Sequence, residues 1–201
     1  MNIQRVVIFG VGAAGGNLLL NLVAAHPDLD YTVVDCDQVT ERNITARTQP
    51  YARADLHRPK VQAIQRVVQQ QFGKRIETVN KRIDTFGDLS RFVPPVGDVD
   101  TLLLDCFDNA ASRNLFKLFD ARYPVLHVGF SGALTGDVCW NEVWEPMTEG
   151  VEPHVDVCQL HLARPFIMGL TGIAALVISE FLVTGKKRNA YFDRWLNLRP
   201  Y

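Results

Sequence analysis

Two carboxylates end an apolar run, and an amide and several cations follow them closely. In the stretch VVDCDQVTERNITARTQ (residues 33–49), Asp35 and Asp37 come first, and Asn43 and Arg47 follow. A carboxylate alone can accept hydrogen bonds from the hydroxyls of a sugar. Acids beside arginine and asparagine predict a larger ligand that carries negative charge, because guanidinium groups pair well with anionic oxygens.

A glycine-rich segment, GVGAAGGN, lies between an apolar run and a helical pattern. Gly10, Gly12 and Gly15 form a G-x-G-x-x-G motif in which the first glycine permits a tight turn. The second glycine lets a phosphate approach the backbone, and the third allows the helix to pack closely on the strand. The helix that follows would offer unpaired N–H groups to an anion. A turn without a ligand is the alternative, but the order of strand, turn and helix favours nucleotide binding.

Asp35 strengthens this interpretation by its distance from the glycine turn. It comes 20 residues after Gly15, which is the separation at which a carboxylate accepts hydrogen bonds from a ribose. NAD and ATP satisfy these two features equally well.

Further charges at the ends of predicted strands favour a triphosphate. Lys60 follows Arg47 along the chain, and the segment DCFDN contributes Asp105, Asp108 and Asn109. Arginine and lysine neutralise phosphate oxygens, and a carboxylate can hold Mg²⁺. Hydride transfer has no evident need for so many charges. In the alternative interpretation, Arg47 and Lys60 are solvated surface cations.

The elements that must position these residues alternate between strands and helices. Predicted strands are RVVIF, YTVVDCD, KRIETVNKRI, TLLLDC, PVLHVGF and GDVCWNEVW, the last of them antiparallel. Predicted helices are NLLLNLVAA, RPKVQAIQRVVQQQF, Asn109–Asp120 and Pro165–Val183. This order predicts an α/β, Rossmann-like doubly wound sheet, mostly parallel, with antiparallel strands toward the C-terminal half. A single domain is expected over residues 1–201, with a loop at Glu145–Pro165 and a surface tail at Lys186–Tyr201.

Composition limits the partners and the compartment. The 201 residues are 47% apolar and 21% charged, with a formal net charge of −1, so no overall field attracts nucleic acid or a membrane. The apolar stretch PFIMGLTGIAALVISEFLV is interrupted by Glu180 and predicts a buried helix rather than a membrane span. The four cysteines form no CxxC pair, so no structural zinc is expected. Without a signal-peptide pattern, a cytoplasmic protein is expected.

Four motifs in this order, GVGAAG, DCDQVTERNITARTQ, RPK and DCFDN, resemble those of the ThiF/MoeB adenylyltransferases, the bacterial relatives of ubiquitin-activating enzymes. The resemblance implies ATP and Mg²⁺ as cofactors, a homodimer, and activation of a carboxylate as an acyl-adenylate. The carboxylate would be the C-terminus of a ubiquitin-like protein or a peptide. The nucleotide-binding residues that it implies are Gly10, Gly12, Gly15, Asp35, Asp37, Asn43, Arg47 and Lys60. Arg47, Lys60 and Asp108 would be catalytic, with Asp108 as the Mg²⁺ ligand.

The chain departs from the family pattern at a few positions. Ala13 replaces the second of two consecutive glycines, and one residue is inserted between the asparagine and the arginine. The insertion assigns the phosphate contact to Arg47 rather than Arg42. The CxxC pairs of many members are absent, as is the segment before the first strand that can supply an arginine to a partner subunit. An NAD-dependent oxidoreductase and a catalytically inactive scaffold of the same fold therefore remain alternatives.

Cys158 lies in the segment HVDVCQLH, for which three interpretations are open. It is an inert buried residue, or an acceptor that takes the activated carboxyl group as a thioester or persulfide, or a metal ligand together with His154, Asp156 and His161. The other cysteines, Cys36, Cys106 and Cys139, are expected in strands or at buried strand ends.

Overall fold

The computed structural model describes residues 3–93, 100–146, 157–195 and 197–199. Within these residues eight strands form one sheet: β1 (Arg5–Phe9), β2 (Asp30–Val34), β3 (Glu77–Val79), β4 (Thr101–Asp105), β5 (Val125–Phe130), β6 (Gly136–Trp140), β7 (Ala190–Phe192) and β8 (Leu198–Arg199). The α-helices are α1 (Ala13–Ala25), α2 (Glu41–Thr45), α3 (Lys60–Phe72), α4 (Phe86–Ser90), α5 (Ala110–Asn114) and α6 (Ala163–Thr184). Short 3₁₀ helices cover Arg53–Asp55, Leu115–Leu118 and Val157–Gln159.

The strand order is β3-β2-β1-β4-β5-β6-β7-β8. The first five of these strands pair in parallel, and β6, β7 and β8 add in antiparallel pairs. Phe9 pairs with both Val34 and Asp105, so the last residues of β1, β2 and β4 lie side by side. The predicted fold class is confirmed, and the loops that follow these strands emerge at one edge of the sheet.

Helices cover both faces of the sheet, because the buried strands are apolar on both sides. In β1, Val6 and Ile8 join the larger core with residues of α1, α3 and α6. Val7 and Phe9 face the other way and join a smaller core with Phe116 and Phe119. Successive side chains of β1 therefore belong to opposite faces of the sheet.

Helix α6 is the one helix in the described ranges that is long and apolar enough to cross a membrane. Phe166, Leu170, Ala174 and Ile178 nevertheless lie in the larger core, and α6 packs along α1. This agrees with the predicted buried helix. The helix begins at Ala163, before Pro165, because proline is tolerated in a first turn.

Three expectations about the later half need correction. The segment expected as a surface tail contains β7 and β8, and Ala190 and Phe192 are buried in the sheet. Alternation over three residues is too short a pattern to predict a strand. The helix expected at Asn109–Asp120 is α5 followed by a 3₁₀ helix. The loop expected at Glu145–Pro165 includes a 3₁₀ helix and the start of α6, and its residues 147–156 lie outside the described ranges.

Candidate functional site

The glycine turn after β1 has the geometry that the sequence predicted. Gly10 has φ +85°, and a Cβ there would lie 2.8 Å from the carbonyl oxygen of Cys106. A Cβ on Gly15 would lie 1.9 Å from the carbonyl oxygen of Gly10. Around Gly12, by contrast, a Cβ would meet no described atom within 4 Å. Gly10 and Gly15 are therefore required by packing, and Gly12 leaves open space for a ligand.

The first turn of α1 presents backbone donors to this open space. Gly12 is the N-cap and supplies no side-chain hydrogen bond to the helix. The first N–H groups of a helix have no partner within it, and an anion can take that place. Ala13, at the position where the family has glycine, places its methyl group in the larger core. The substitution therefore leaves the open side of the turn unchanged.

Asp35 is buried at the end of β2 and bound to the glycine turn. Its Oδ2 accepts from the backbone N of Val11 at 2.9 Å, and its Oδ1 accepts from the backbone N of Asp37 at 2.8 Å. Burial raises the pKa of this carboxyl group, and Lys60 opposes that rise. Asp35 therefore helps to shape the turn, and each of its oxygens still has a lone pair for a ligand hydroxyl.

Lys60, the first residue of α3, brings the charges together. Its Nζ donates to Asp37 Oδ2 at 2.8 Å, and its side chain is 10% exposed whereas that of Asp37 is 63% exposed. Burial lowers the pKa of Lys60, but Asp35, Asp37 and Asp108 outweigh it and leave the pKa raised. Lys60 is therefore a buried cation among three carboxylates rather than a solvated surface charge.

We expect Lys60→Met to destabilise the fold in a pH-dependent way. Burial raises the pKa of Asp35 in the folded state. This carboxyl group therefore lowers the free energy of unfolding as the pH rises from its unfolded pKa to its folded pKa. Without Lys60 the folded pKa rises further, so this fall becomes larger. The free energy of unfolding should drop by about 1–3 kcal/mol at neutral pH, the value of a charged hydrogen bond, and by less under acidic conditions.

Urea unfolding of the wild type and of Lys60→Met from pH 3 to pH 7 measures this difference in the free energy of unfolding. Lys186→Met is the matched control, because Lys186 is exposed beyond the end of α6. A loss of stability at Lys60→Met that does not vary with pH would contradict the electrostatic effect of Lys60 on Asp35.

Asn43 lies on α2, where it completes a capping box. Its Oδ1 accepts from the backbone N of Thr40 at 2.9 Å and from Thr40 Oγ1 at 3.0 Å. This fixes the orientation of the amide and leaves its NH₂ group as the side that can donate to a ligand.

Arg47 follows α2 in a left-handed conformation, with φ +55°. Its carbonyl oxygen accepts from Arg164 at the start of α6, and the next residue, Thr48, accepts from Asn17 of α1 at 2.8 Å. The backbone at Arg47 is therefore held near the first turns of α1. Arg42 lies in α2, one turn earlier in the chain. The assignment of the phosphate contact to Arg47 stays a prediction.

Asp108 lies just beyond β4, on the turn that touches the glycine turn. It is exposed, and no hydrogen bond to its carboxylate occurs within the described ranges. The cap of α5 is its neighbour Asn109, whose Oδ1 accepts from the backbone N of Ser112 at 2.8 Å. An exposed carboxylate within electrostatic reach of Lys60 fits a hard divalent cation, which prefers oxygen ligands.

A buried polar cluster beneath this turn was not predicted as functional. The carboxylate of Asp105, at the end of β4, is bound by Arg113 and His127. A histidine within the apolar strand PVLHVGF is the signal that could have identified it, because a buried polar group needs partners.

The cysteines differ in part from expectation. Cys36 is exposed between Asp35 and Asp37 instead of lying at a buried strand end. Burial raises the pKa of Cys106, and raises that of Cys139 to about 11. Cys158 is partly buried against the larger core, on the 3₁₀ helix Val157–Gln159.

The interpretation of Cys158 as a metal ligand depends largely on residues outside the described ranges. His154 and Asp156 fall in the range 147–156, and His161 is exposed. Among the described residues, the group of side chains close enough to share a metal ion is Asp35, Cys36 and Asp37. The choice between an inert residue, an acceptor and a ligand therefore stays open for Cys158.

Known structures share this fold. E. coli MccB with ATP has a TM-score of 0.74 at 13% sequence identity, covering 98% of this chain and 63% of MccB. E. coli MccB with MccA-N7isoASN has a TM-score of 0.75 at 14% identity, covering 98% and 64%. PaaA has a TM-score of 0.66 at 17% identity, covering 98% and 62%. The chain thus spans slightly less than two thirds of the length of these proteins.

Sequence comparison gives the family directly. No curated protein matches the chain significantly. The ThiF family matches over residues 1–192, which include the glycine turn, both aspartates after β2, Lys60 and the turn after β4. The chain belongs to the ThiF family.

Proposed function

We propose that this protein is an ATP-dependent adenylyltransferase that activates a carboxylate as an acyl-adenylate. The observation that carries the proposal is that Asp35 is bound to the glycine turn, while Lys60, bound to Asp37, lies within electrostatic reach of both Asp35 and Asp108. Membership of the ThiF family supports the same activity. The carboxylate attacks the α-phosphate of ATP, pyrophosphate leaves, and the carboxyl group is joined to AMP.

We assign each of these residues a role in the reaction. Gly10, Gly12 and Gly15 shape the turn and leave room for the phosphates, and the N–H groups of α1 donate to them. Asp35 accepts from the ribose, and Asp37 holds the ammonium group of Lys60. Arg47 and Lys60 neutralise phosphate charge that increases as pyrophosphate leaves, and Asn43 donates its amide NH₂ to a phosphate oxygen.

Asp108 would hold Mg²⁺, which supplies charge neutralisation on the phosphates when bound. The protein's own part is to leave this carboxylate exposed and within electrostatic reach of Lys60. Lys60 in turn stays protonated because of the carboxylates around it.

The acceptor is proposed to be the C-terminus of a ubiquitin-like protein or a peptide. MccB was crystallised with ATP and with MccA, and family membership supports a related substrate here. A homodimer, a single domain over residues 1–201 and a cytoplasmic location accompany the proposal. Transfer to Cys158 would be a later step.

An NAD-dependent oxidoreductase would use the glycine turn and Asp35 but gives no role to the buried Lys60 or to Asp108. An inactive scaffold would keep the fold without turnover. ATP–pyrophosphate exchange, measured with candidate peptides and ubiquitin-like proteins, separates these functions. Exchange that depends on an acceptor supports adenylation, and hydride transfer to NAD with no exchange would contradict it.

Ligand-dependent stabilisation is expected to be selective. ATP with Mg²⁺ should raise the melting temperature, because a ligand at 100 times its Kd adds about 2.7 kcal/mol of apparent stability. NAD should have little effect, since it has no third phosphate to occupy the position near Lys60 and Asp108. A thermal-shift titration of ATP, with and without Mg²⁺, and of NAD measures this difference. Stabilisation by NAD alone would overturn the nucleotide assignment.

A further inference from the structure

A fully buried carboxylate lies directly beneath the turn that carries Asp108. Asp105 Oδ2 accepts from Arg113 Nε and from His127 Nδ1, each at 2.8 Å. Its Oδ1 accepts from the backbone N of Phe107 at 3.1 Å. Asp105 and His127 have no exposed surface, and the side chain of Arg113 is 6% exposed. One carboxylate thus connects the buried side chains of Arg113 and His127 to the backbone of the turn.

Hydrogen-bond directions fix the state of His127. Asn141 Nδ2 donates to the carbonyl oxygen of Phe116 at 3.1 Å, so the amide must present its Oδ1 to the ring, 3.0 Å from His127 Nε2. Both partners of the ring, Asp105 and Asn141, are then acceptors. His127 Nδ1 therefore donates to Asp105, because a bare nitrogen there would face a lone pair of the carboxylate.

The ring is also fixed in orientation. It stacks on Trp144 with a centroid separation of 4.0 Å and an interplanar angle of 12°. The guanidinium of Arg113 lies over the same indole, 5.5 Å from its centroid. Arg113 Nη2 is buried without a hydrogen-bond partner among the described residues, so Arg113 contacts Asp105 by one bond rather than by a fork. His127 therefore supplies half of the side-chain hydrogen bonds to Asp105.

The turn above this cluster is packed against the nucleotide site. Cys106 N donates to the carbonyl oxygen of Phe9 at 2.9 Å, and the carbonyl oxygen of Cys106 faces Gly10. The ring of Phe107 packs against Phe9 and Phe116. A shift of Asp105 would move the backbone N of Phe107 and, with it, Asp108.

We propose that His127 is a positioning residue for Asp108: it donates to Asp105, which sets the turn that presents Asp108 next to Lys60. This inference rests on the proposed function, because it concerns how the same site holds a metal-bound nucleotide. Partners behind a metal ligand alter metal affinity by about 10- to 100-fold when they are removed.

Two conservative substitutions separate positioning from general stability. In His127→Asn the amide NH₂ reaches the place of Nδ1 and keeps the bond to Asp105. In His127→Gln the amide reaches the place of Nε2, near Asn141, and the bond to Asp105 is lost. Both variants lose the stack on Trp144, and Asn leaves the larger void, so weaker Mn²⁺ binding in His127→Gln cannot come from lost volume. A difference between them therefore reports the bond to Asp105.

The measurement is the affinity for Mn²⁺ in the presence of α,β-methylene-ATP, obtained from the electron paramagnetic resonance signal of free Mn²⁺. We expect His127→Asn to stay within about threefold of the wild type, and His127→Gln to weaken binding about tenfold. Equal affinities for the two variants would overturn the positioning role. Failure of the wild type to bind Mn²⁺ with the nucleotide would instead contradict the proposed function.

If His127→Gln does not fold, Trp144→Leu tests the same role by removing the side chain that stacks on the His127 ring. It removes the stack but none of the hydrogen bonds, so the ring can rotate away from Asp105. Weaker Mn²⁺ binding, by about threefold or more, supports the proposal. Affinity equal to that of the wild type overturns it.

Discussion

Asp108→Ala is expected to lower the rate of ATP–pyrophosphate exchange by about 10³-fold while the fold stays intact. A metal ion on the phosphates stabilises transition-state charge by several kcal/mol, and each 1.4 kcal/mol corresponds to a factor of ten in rate. Asp108 is exposed and supports no helix, because the cap of α5 is Asn109. The melting temperature should therefore change by less than about 2 °C.

Asn109→Ala is the matched control, because it alters the next residue and removes the cap instead of the free carboxylate. Loss of an N-cap costs about 1 kcal/mol, so its melting temperature should fall while exchange changes by less than about tenfold. If Asp108→Ala lowers the melting temperature as much as Asn109→Ala does, Asp108 has a structural role. Exchange rates and thermal scans on both variants decide between the two.

The parallel half of the fold and the place of the candidate site in it could be predicted from sequence. A glycine motif directly after an apolar run has few structural interpretations, and Gly10 and Gly15 are required by the close approach of backbone atoms. Since parallel strands end at one edge, Asp35 and Asp108 had to lie near that turn. The burial of Lys60 was not predictable in the same way, because a lysine that begins a helix is usually solvated.

The polar cluster under the turn could not be assembled from sequence. Asp105, Arg113, His127 and Asn141 belong to four separate segments, and the two hydrogen-bond partners of the His127 ring lie 22 and 14 residues away in the chain. They meet because β4 and β5 pair in parallel with Asp105 opposite His127. Register of this kind depends on packing across the whole sheet, and a sequence pattern does not contain it. The exposure of Cys36 depends similarly on how the chain leaves β2.

Arg47→Ala is expected to lower exchange by about 10²-fold, comparable with the loss of one preorganised donor. The charge on the phosphates develops as pyrophosphate leaves, so an interaction with it acts mainly on kcat. Arg42→Ala is the matched control, since it removes the same side chain from the preceding helix. We expect its exchange rate to change by less than about threefold, because the charge of an exposed side chain at the edge of a site is screened by salt. Equal losses at the two positions would mean that the one-residue insertion is wrongly placed.

Cys158→Ala separates adenylation from any later transfer. A residue that accepts the carboxyl group after the adenylate has formed takes no part in exchange, so the exchange rate should be that of the wild type. A thiol-labile adduct, sought by mass spectrometry after incubation with ATP and the acceptor, should form on the wild type and be lost in Cys158→Ala if this cysteine is the acceptor. Normal onward transfer in the variant would assign Cys158 to packing, in agreement with its contact with the larger core. Slower exchange in Cys158→Ala would contradict a role as a later acceptor, because such a residue takes no part in the attack on the α-phosphate.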